Sequence, residues 1–320
     1  MPPFTRGVPA SPSSGSQVGG RGAFMSIISR WWRRNKVALL FLSPWLLGLL
    51  TLSLIPMMVS LYLSFTNYNL FQSPDWVGWN NYINLFTNDT RYIKALEVTF
   101  IYVFVGVPLQ LTLALALAMF LNRGLAGLEL FRGIFYIPSL LGPSVAIALL
   151  WRKVFGSDGL FNQLVSNFGI EPRSWIGDPD TSLLTLILLH VWQFGSPMVI
   201  FLAGLRQIPK EYYEAASIDG AGRVGSFFRI TIPMLTPILF FNLVMQIINA
   251  FQAFTSAFIV GGNGGVLDST LFYTLYLFIA GFNNFQMGYA SAMAWILLLI
   301  IGFFTALFFL SSKKWVHYET

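Results

Sequence analysis

The chain has 320 residues, 55% of them hydrophobic and only 10% charged, where a soluble globular domain carries roughly 25% charge. That balance excludes an ordinary water-soluble fold. Cysteine is absent, which excludes disulfides, thiolate metal sites and a cysteine nucleophile, and the net charge of +6 follows membrane topology rather than a nucleic-acid-binding stripe.

Residues 1–24 form a Ser/Gly/Pro-rich tail without apolar periodicity, expected to be disordered, and Met25 offers a second start. The tail as a whole, 1–36, ends in the basic run RWWRRNK at 30–36. A membrane-crossing helix needs about 20 apolar residues. Six stretches qualify: 37–64, 95–121, 132–151, 183–205, 231–256 and 290–311. The apolar stretch LFYTLYLFIAG at 271–281 is shorter and reads as a re-entrant or interfacial helix. The sequence thus predicts an all-α polytopic membrane protein with a six-span domain over 37–312 and a short tail over 313–320. Arg123 and Arg132 flank one loop, Arg206, Lys210, Arg223 and Arg229 crowd another, and Lys313 and Lys314 follow the last span. These basic clusters put both termini in the cytoplasm.

Polar residues inside spans face a bundle interior or a wet cavity. Asn242, Gln246 and Asn249 recur at helical spacing in the fifth span. His190, Gln193 and Ser196 share a face of the fourth, where Pro197 interrupts the hydrogen-bond ladder and frees a carbonyl. These six are the candidate solute-pathway residues. Neutral amides beside aromatic rings suit an uncharged polyol, and the alternative is that the amides only join helices. No phosphate-binding G-x-x-x-x-G-K-[ST] loop occurs, and GGNGG at 261–265 lacks the lysine. No cofactor or metal is expected on this chain, and the two histidines, His190 and His317, lie far apart in sequence. An ion gradient is the rival energy source, but ionisable groups within the spans are scarce.

Between the fourth and fifth spans lies EYYEAASIDGAGRVGSFFRITIPML, 211–235. Pro209 suits the first turn of a helix, Glu211 follows where the dipole favours an acid, and glycines end it. Glu214-Ala215-Ala216, then Gly220, then Ile230-x-Ile232-Pro233 resembles the EAA loop of ABC importer permeases, with Ile232 where leucine is usual. FLSPWLLGLL (41–50), WVGWNNYINLF (76–86) and MGYASAMAW (287–295) are similar to the carbohydrate-uptake branch of that family.

The resemblance implies the type I importer permease fold, in the inner membrane of a bacterium or archaeon. It implies a coupling helix at about 209–220, bearing Glu211, Glu214, Ala215, Ala216, Asp219 and Gly220. Two cytoplasmic ATPase subunits holding ATP and Mg would dock there. A second permease would complete the pathway, an extracytoplasmic binding protein would deliver a sugar, and the outer loop 156–182 would help receive it. The chain itself would not be an enzyme. A gradient-driven carrier of a neutral solute is the alternative, and a membrane enzyme ranks third, for want of paired carboxylates or a histidine cluster.

Overall fold

The computed structural model describes residues 36–123, 127–142 and 144–317. The tail over 1–35, with its expected disorder, lies outside them. The chain divides into two units, Met1–Val59 and Ser60–Thr320. In the first, helix α1 (Lys36–Leu63) begins, and Leu40, Phe41 and Leu52 are among its exposed apolar residues.

Among the described residues the second unit is helical, with one isolated bridge between Thr66 and Trp76. The elements are α2 (Asn80–Thr87), α3 (Thr90–Leu121), α4 (Leu128–Leu141), α5 (Val145–Phe155), α6 (Leu160–Ser166) and α7 (Pro179–Trp192). They continue with α8 (Gly195–Leu205), α9 (Lys210–Ile218), α10 (Arg223–Phe251), α11 (Tyr273–Phe278, running on as the π-helical Ile279–Asn283) and α12 (Met287–Trp315). Helices α1, α3, α10 and α12 are each long and apolar enough to cross a membrane.

Two expected spans are not straight helices. The stretch read as 132–151 breaks between α4 and α5, and the segments on either side are bent by 99°. Gly142, at φ +49°, ends α4, and the Ser144 hydroxyl caps α5 by accepting the Ile147 N–H. The stretch 183–205 breaks between α7 and α8 with a 41° bend. The fifth span ends at Phe251 rather than 256 but begins at Arg223, and α3 starts at Thr90 because Asp89 caps it. The 271–281 stretch does form a short helix. It packs into the protein, with Leu271, Tyr273 and Leu275 at most 1% exposed.

Helix α3 is the axis of the unit. Its 32 residues span about 48 Å. Ala95, Thr99, Tyr102, Gly106, Gln110, Ala114 and Ala118 recur every third or fourth residue and are buried, and most of them are small. Small side chains on that stripe let α7, α8 and α10 approach closely, as helix packing without a hydrophobic drive requires.

Prolines shape the helices locally. Ile55 precedes Pro56 and Ile232 precedes Pro233, and the N–H of each bonds five residues back, to Leu50 and Phe227, closing a π-helical segment. Widening the turn relieves the clash a proline ring makes with the preceding turn. Pro237 leaves the Pro233 carbonyl without its helical donor, and the Thr236 hydroxyl fills the gap at 2.7 Å.

At the start of α3, one Asp89 oxygen accepts the Tyr92 N–H, and the other accepts the Tyr276 and Tyr289 hydroxyls at 2.6 Å each. Arg91 donates Nε and Nη2 to Asp268 at 2.9 and 2.6 Å. These bonds join α3 to α11, α12 and the 266–268 turn. Gly288 lets the 65–76 loop lie against α12: its N–H meets the Tyr68 carbonyl at 3.0 Å, and a Cβ there would sit 2.1 Å from the Thr66 carbonyl oxygen. Gly288→Ala is therefore expected to destabilise the fold by about 1–3 kcal/mol, read as a lower melting temperature of the solubilised protein. Gly302→Ala, where a Cβ meets nothing within 4 Å, is the control expected to leave it unchanged.

Candidate functional site

The junction of α7 and α8 builds the central site. Pro197 has no N–H to give the Gln193 carbonyl four residues earlier. That carbonyl accepts instead from Gln110 Nε2 at 3.0 Å and Ser139 Oγ at 2.9 Å. Gln110 Nε2 also donates to the His190 carbonyl at 3.1 Å, and Ser139 Oγ accepts the Ser196 N–H at 2.9 Å. Gly195 is required here, because a Cβ would lie 2.7 Å from the Phe135 carbonyl oxygen. Side chains from α3 and α4 thus replace the missing helical bonds.

A cavity of about 460 Å³ opens at this break, within the range of small-molecule sites. His190, Gln193 and Ser196 line one wall, and Gln246 and Asn249 line the facing side. Asn242 does not reach it: the residue is 1% exposed, and its Nδ2 has no partner among the described residues. It lies one helical turn before Gln246, on the stretch of α10 nearer α9.

The sequence reading missed Tyr102, Gln110 and Ser139, which also line the cavity. Gln110 carried a signal, as a lone amide in an otherwise apolar span. Two buried atoms of lining residues, Gln110 Oε1 and His190 Nε2, have no hydrogen-bond partner among the described residues. Gly106 makes room for His190, since a Cβ there would sit 3.2 Å from the imidazole. Among the described residues no Asp, Glu, Lys or Arg lines the cavity. Its amides and hydroxyls both donate and accept, and Tyr102 and Phe254 add aromatic surface.

The second place is α9. Pro209 occupies the N-cap position (φ −59°, ψ 138°), so the helix starts at Lys210 and the proline lies just outside its first turn. The Ala221 N–H bonds the Ala216 carbonyl and the Gly220 N–H bonds that of Ser217, a Schellman ending with Gly220 at φ +79°. Tyr213 turns inward, its hydroxyl 2.9 Å from Thr231 Oγ1 on α10. Glu211, Glu214, Ala215, Asp219 and Gly220 are exposed, Ala216 is half-buried, and no residue of the helix is fully buried. Ile218 is 86% exposed. Midway along α10, Thr236 Oγ1 also accepts the His317 N–H at 3.0 Å, anchoring the residues after α12.

The 156–182 loop is organised around Asn162, which is 3% exposed. Its Nδ2 donates to the carbonyls of Gly156, Ser157 and Arg173, and its Oδ1 accepts from the Arg173 N–H and Trp175 Nε1.

A bundle of apolar helices around a neutral polar cavity, with an exposed polar helix between two of its members, defines a membrane transport subunit. The chain belongs to the family of binding-protein-dependent transport system inner membrane components, whose model matches residues 90–316. It is 53% identical to the "Probable ABC transporter permease protein YesP" of Bacillus subtilis (strain 168) over 304 residues, covering 94% of this chain and 98% of that protein. The arabinooligosaccharides transport system permease protein AraP of the same organism is 32% identical over 294 residues, 91% of this chain and 90% of that protein. In fold, the chain is similar to a chain of a bacterial ABC transporter involved in import of the acidic polysaccharide alginate. The TM-score is 0.76 at 20% identity, over 90% of this chain and 98% of that one.

Gln110→Leu would take a donor from the His190 and Gln193 carbonyls and a free acceptor from the cavity. Each group left unpaired costs about 1–3 kcal/mol. The variant is expected to reach the membrane at a lower melting temperature, with solute uptake reduced about tenfold or more at equal membrane abundance.

Proposed function

We propose that the chain is one of two permease subunits of an ATP-driven, binding-protein-dependent importer of sugars or related polyols. In this reading it crosses the membrane six times, α4/α5 and α7/α8 each serving as one bent span, with both termini in the cytoplasm. A second, similar permease completes the pathway, and an extracytoplasmic binding protein delivers solute, with the 156–182 loop on its side of the membrane. Two cytoplasmic ATPase subunits hold ATP and Mg, and this chain supplies neither catalysis nor a cofactor site.

The observation that carries the proposal is α9 itself. It is a capped helix with an unburied face, bearing the EAA pattern and tied to α10 through Tyr213. Ile218, Val224 and Phe228, on and just after it, are 86%, 72% and 64% exposed. Apolar groups clustered at a polar helix favour a protein partner as their cover. Glu214 would meet a basic group of the ATPase, fixing register, while Ala215 and Ala216 allow close approach. Glu211 favours the helix start, and Asp219 and Gly220 form its end. Closure of the ATPase pair would then move α9, and Tyr213 passes that motion to α10, which carries Gln246 and Asn249 on the cavity wall. The uncharged cavity supports a neutral substrate, and several relatives are named for sugars, among them arabinooligosaccharides and, for a Streptococcus mutans relative 32% identical over 263 residues, multiple sugars.

Glu214→Lys is expected to insert normally yet lose at least about 90% of ATP-driven sugar uptake, a loss of about 1.4 kcal/mol of coupling, while the reconstituted ATPase still hydrolyses ATP. Uptake at the wild-type rate would refute the docking role. Gly220→Val forces a branched side chain into left-handed backbone at about 1–2 kcal/mol and is expected to act in the same direction, measured by the same vesicle assay.

A further inference from the structure

Three cavities follow one another along α3. The central one meets it at Tyr102 and Gln110, and a third, of about 350 Å³, meets it at Met119 beside Tyr213 and Ser217 of α9. The remaining one, about 580 Å³, sits at the opposite end, at Asp89 and Thr90. The twenty residues from Thr90 to Gln110 correspond to about 30 Å of helix. Between those two sites lies packed core: the Tyr273 N–H donates to Thr99 Oγ1 at 2.8 Å, and Tyr273 and Tyr92 are fully buried beside each other. The end cavity is therefore not an extension of the central one.

We propose that this end cavity is a second binding site, for a neutral saccharide. Five asparagines line it: Asn67, Asn69, Asn81, Asn84 and Asn88. Each is held by one half of its amide. Asn67 Oδ1 accepts the Asp75 N–H, and Asn69 Oδ1 accepts those of Phe71 and Gln72. Asn81 Nδ2 donates to the Ser64 and Thr66 carbonyls, and Asn88 Nδ2 donates to Asn84 Oδ1. The other halves have no hydrogen-bond partner among the described residues. They are amide donors on Asn67, Asn69 and Asn84 and carbonyl acceptors on Asn81 and Asn88. Sugar hydroxyls both donate and accept, and a set of oriented donors and acceptors matches them. Tyr68, Tyr276 and Tyr289 add aromatic surface for the apolar face of a ring.

Charge narrows the class. Asp89 is the cavity's one ionisable carboxyl, and both its oxygens are engaged, with the Tyr92 N–H and with the Tyr276 and Tyr289 hydroxyls. Those bonds tie it to three helices, and its charge disfavours an anionic sugar. The walls are pinned by the Gly288 contact to Tyr68, and Phe71 packs edge-on against Phe285 at 5.2 Å. The choice of a saccharide over other polyhydroxylated solutes rests on the carbohydrate reading above; the separateness and polarity of the cavity do not.

The test uses the full chain in nanodiscs, with Gln246→Trp introduced to block the central cavity. The probe is a mixture of neutral di- to tetrasaccharides of glucose, galactose, xylose, arabinose and rhamnose, followed by saturation-transfer NMR and then titration of each hit. At least one saccharide is expected to bind. Asn84→Leu/Asn88→Leu, at two exposed positions, is expected to weaken it tenfold or more. Gln286→Trp, which fills the same cavity from its exposed rim, should do the same, with all variants monodisperse by gel filtration. No saccharide retained in the Gln246→Trp background overturns the proposal, as does retained binding that both end-cavity variants leave intact. Protection of a cysteine at Asn88 by a secreted binding protein, with no saccharide hit, would assign the cavity to a protein contact instead. The titration needs neither ATP nor partner subunits, so failure of ATP-driven uptake would refute the importer reading without deciding this one.

Discussion

The constraint on which the structure depends is that hydrocarbon offers no water to an unpaired backbone group. A helix can be interrupted there only where something else supplies the missing bond. At the α7/α8 break the supply is the Gln110 amide and the Ser139 hydroxyl, both turned on the Gln193 carbonyl. At Pro237 it is the neighbouring Thr236 hydroxyl. Before Pro56 and Pro233 the chain widens by one residue per turn, so that the preceding N–H still finds a carbonyl. The central cavity lies where this substitution is made by other helices, so its wall is irregular backbone held by side chains.

The same helix that makes those bonds organises the rest. One end of α3 is held by Asp89 and Arg91 through charge-assisted bonds to three other segments, which are stronger than neutral ones. Its middle carries the small-residue stripe that admits α7, α8 and α10. Its far end borders the cavity beneath α9. Thr231, which meets Tyr213, and Gln246, which meets the central cavity, lie on one helix, about 22 Å apart along it. The contact with α9 and the wall of the central cavity are thereby carried by one helix.

Much of this was legible in the residues. The length and apolarity of α1, α3, α10 and α12 mark them as spans. The acids, small residues and glycines of 211–222 mark α9, since a polar helix with a glycine stop stands out against apolar neighbours. Five of the six candidate pathway residues share one cavity. Asn242 does not join them, because helical spacing assigns a face but not how far along the helix the cavity extends. Gln110 and Ser139 went unread because each acts on a carbonyl more than fifty residues away in sequence.

By itself the sequence determined that the chain is a membrane protein, where most of its helices lie, and which segment between two of them is a polar helix with a glycine stop. These are properties of local composition and spacing, and each is paid locally in burial or hydrogen bonds. Only the tertiary structure decided which face of each apolar helix is core, where two of the spans break, and that asparagines from 67 to 88 converge on one pocket with Tyr276 and Tyr289. Lipid is as apolar as a protein interior, so hydropathy cannot separate a buried face from a lipid-facing one, and a carbonyl freed by proline finds its donor only when another helix has been packed beside it.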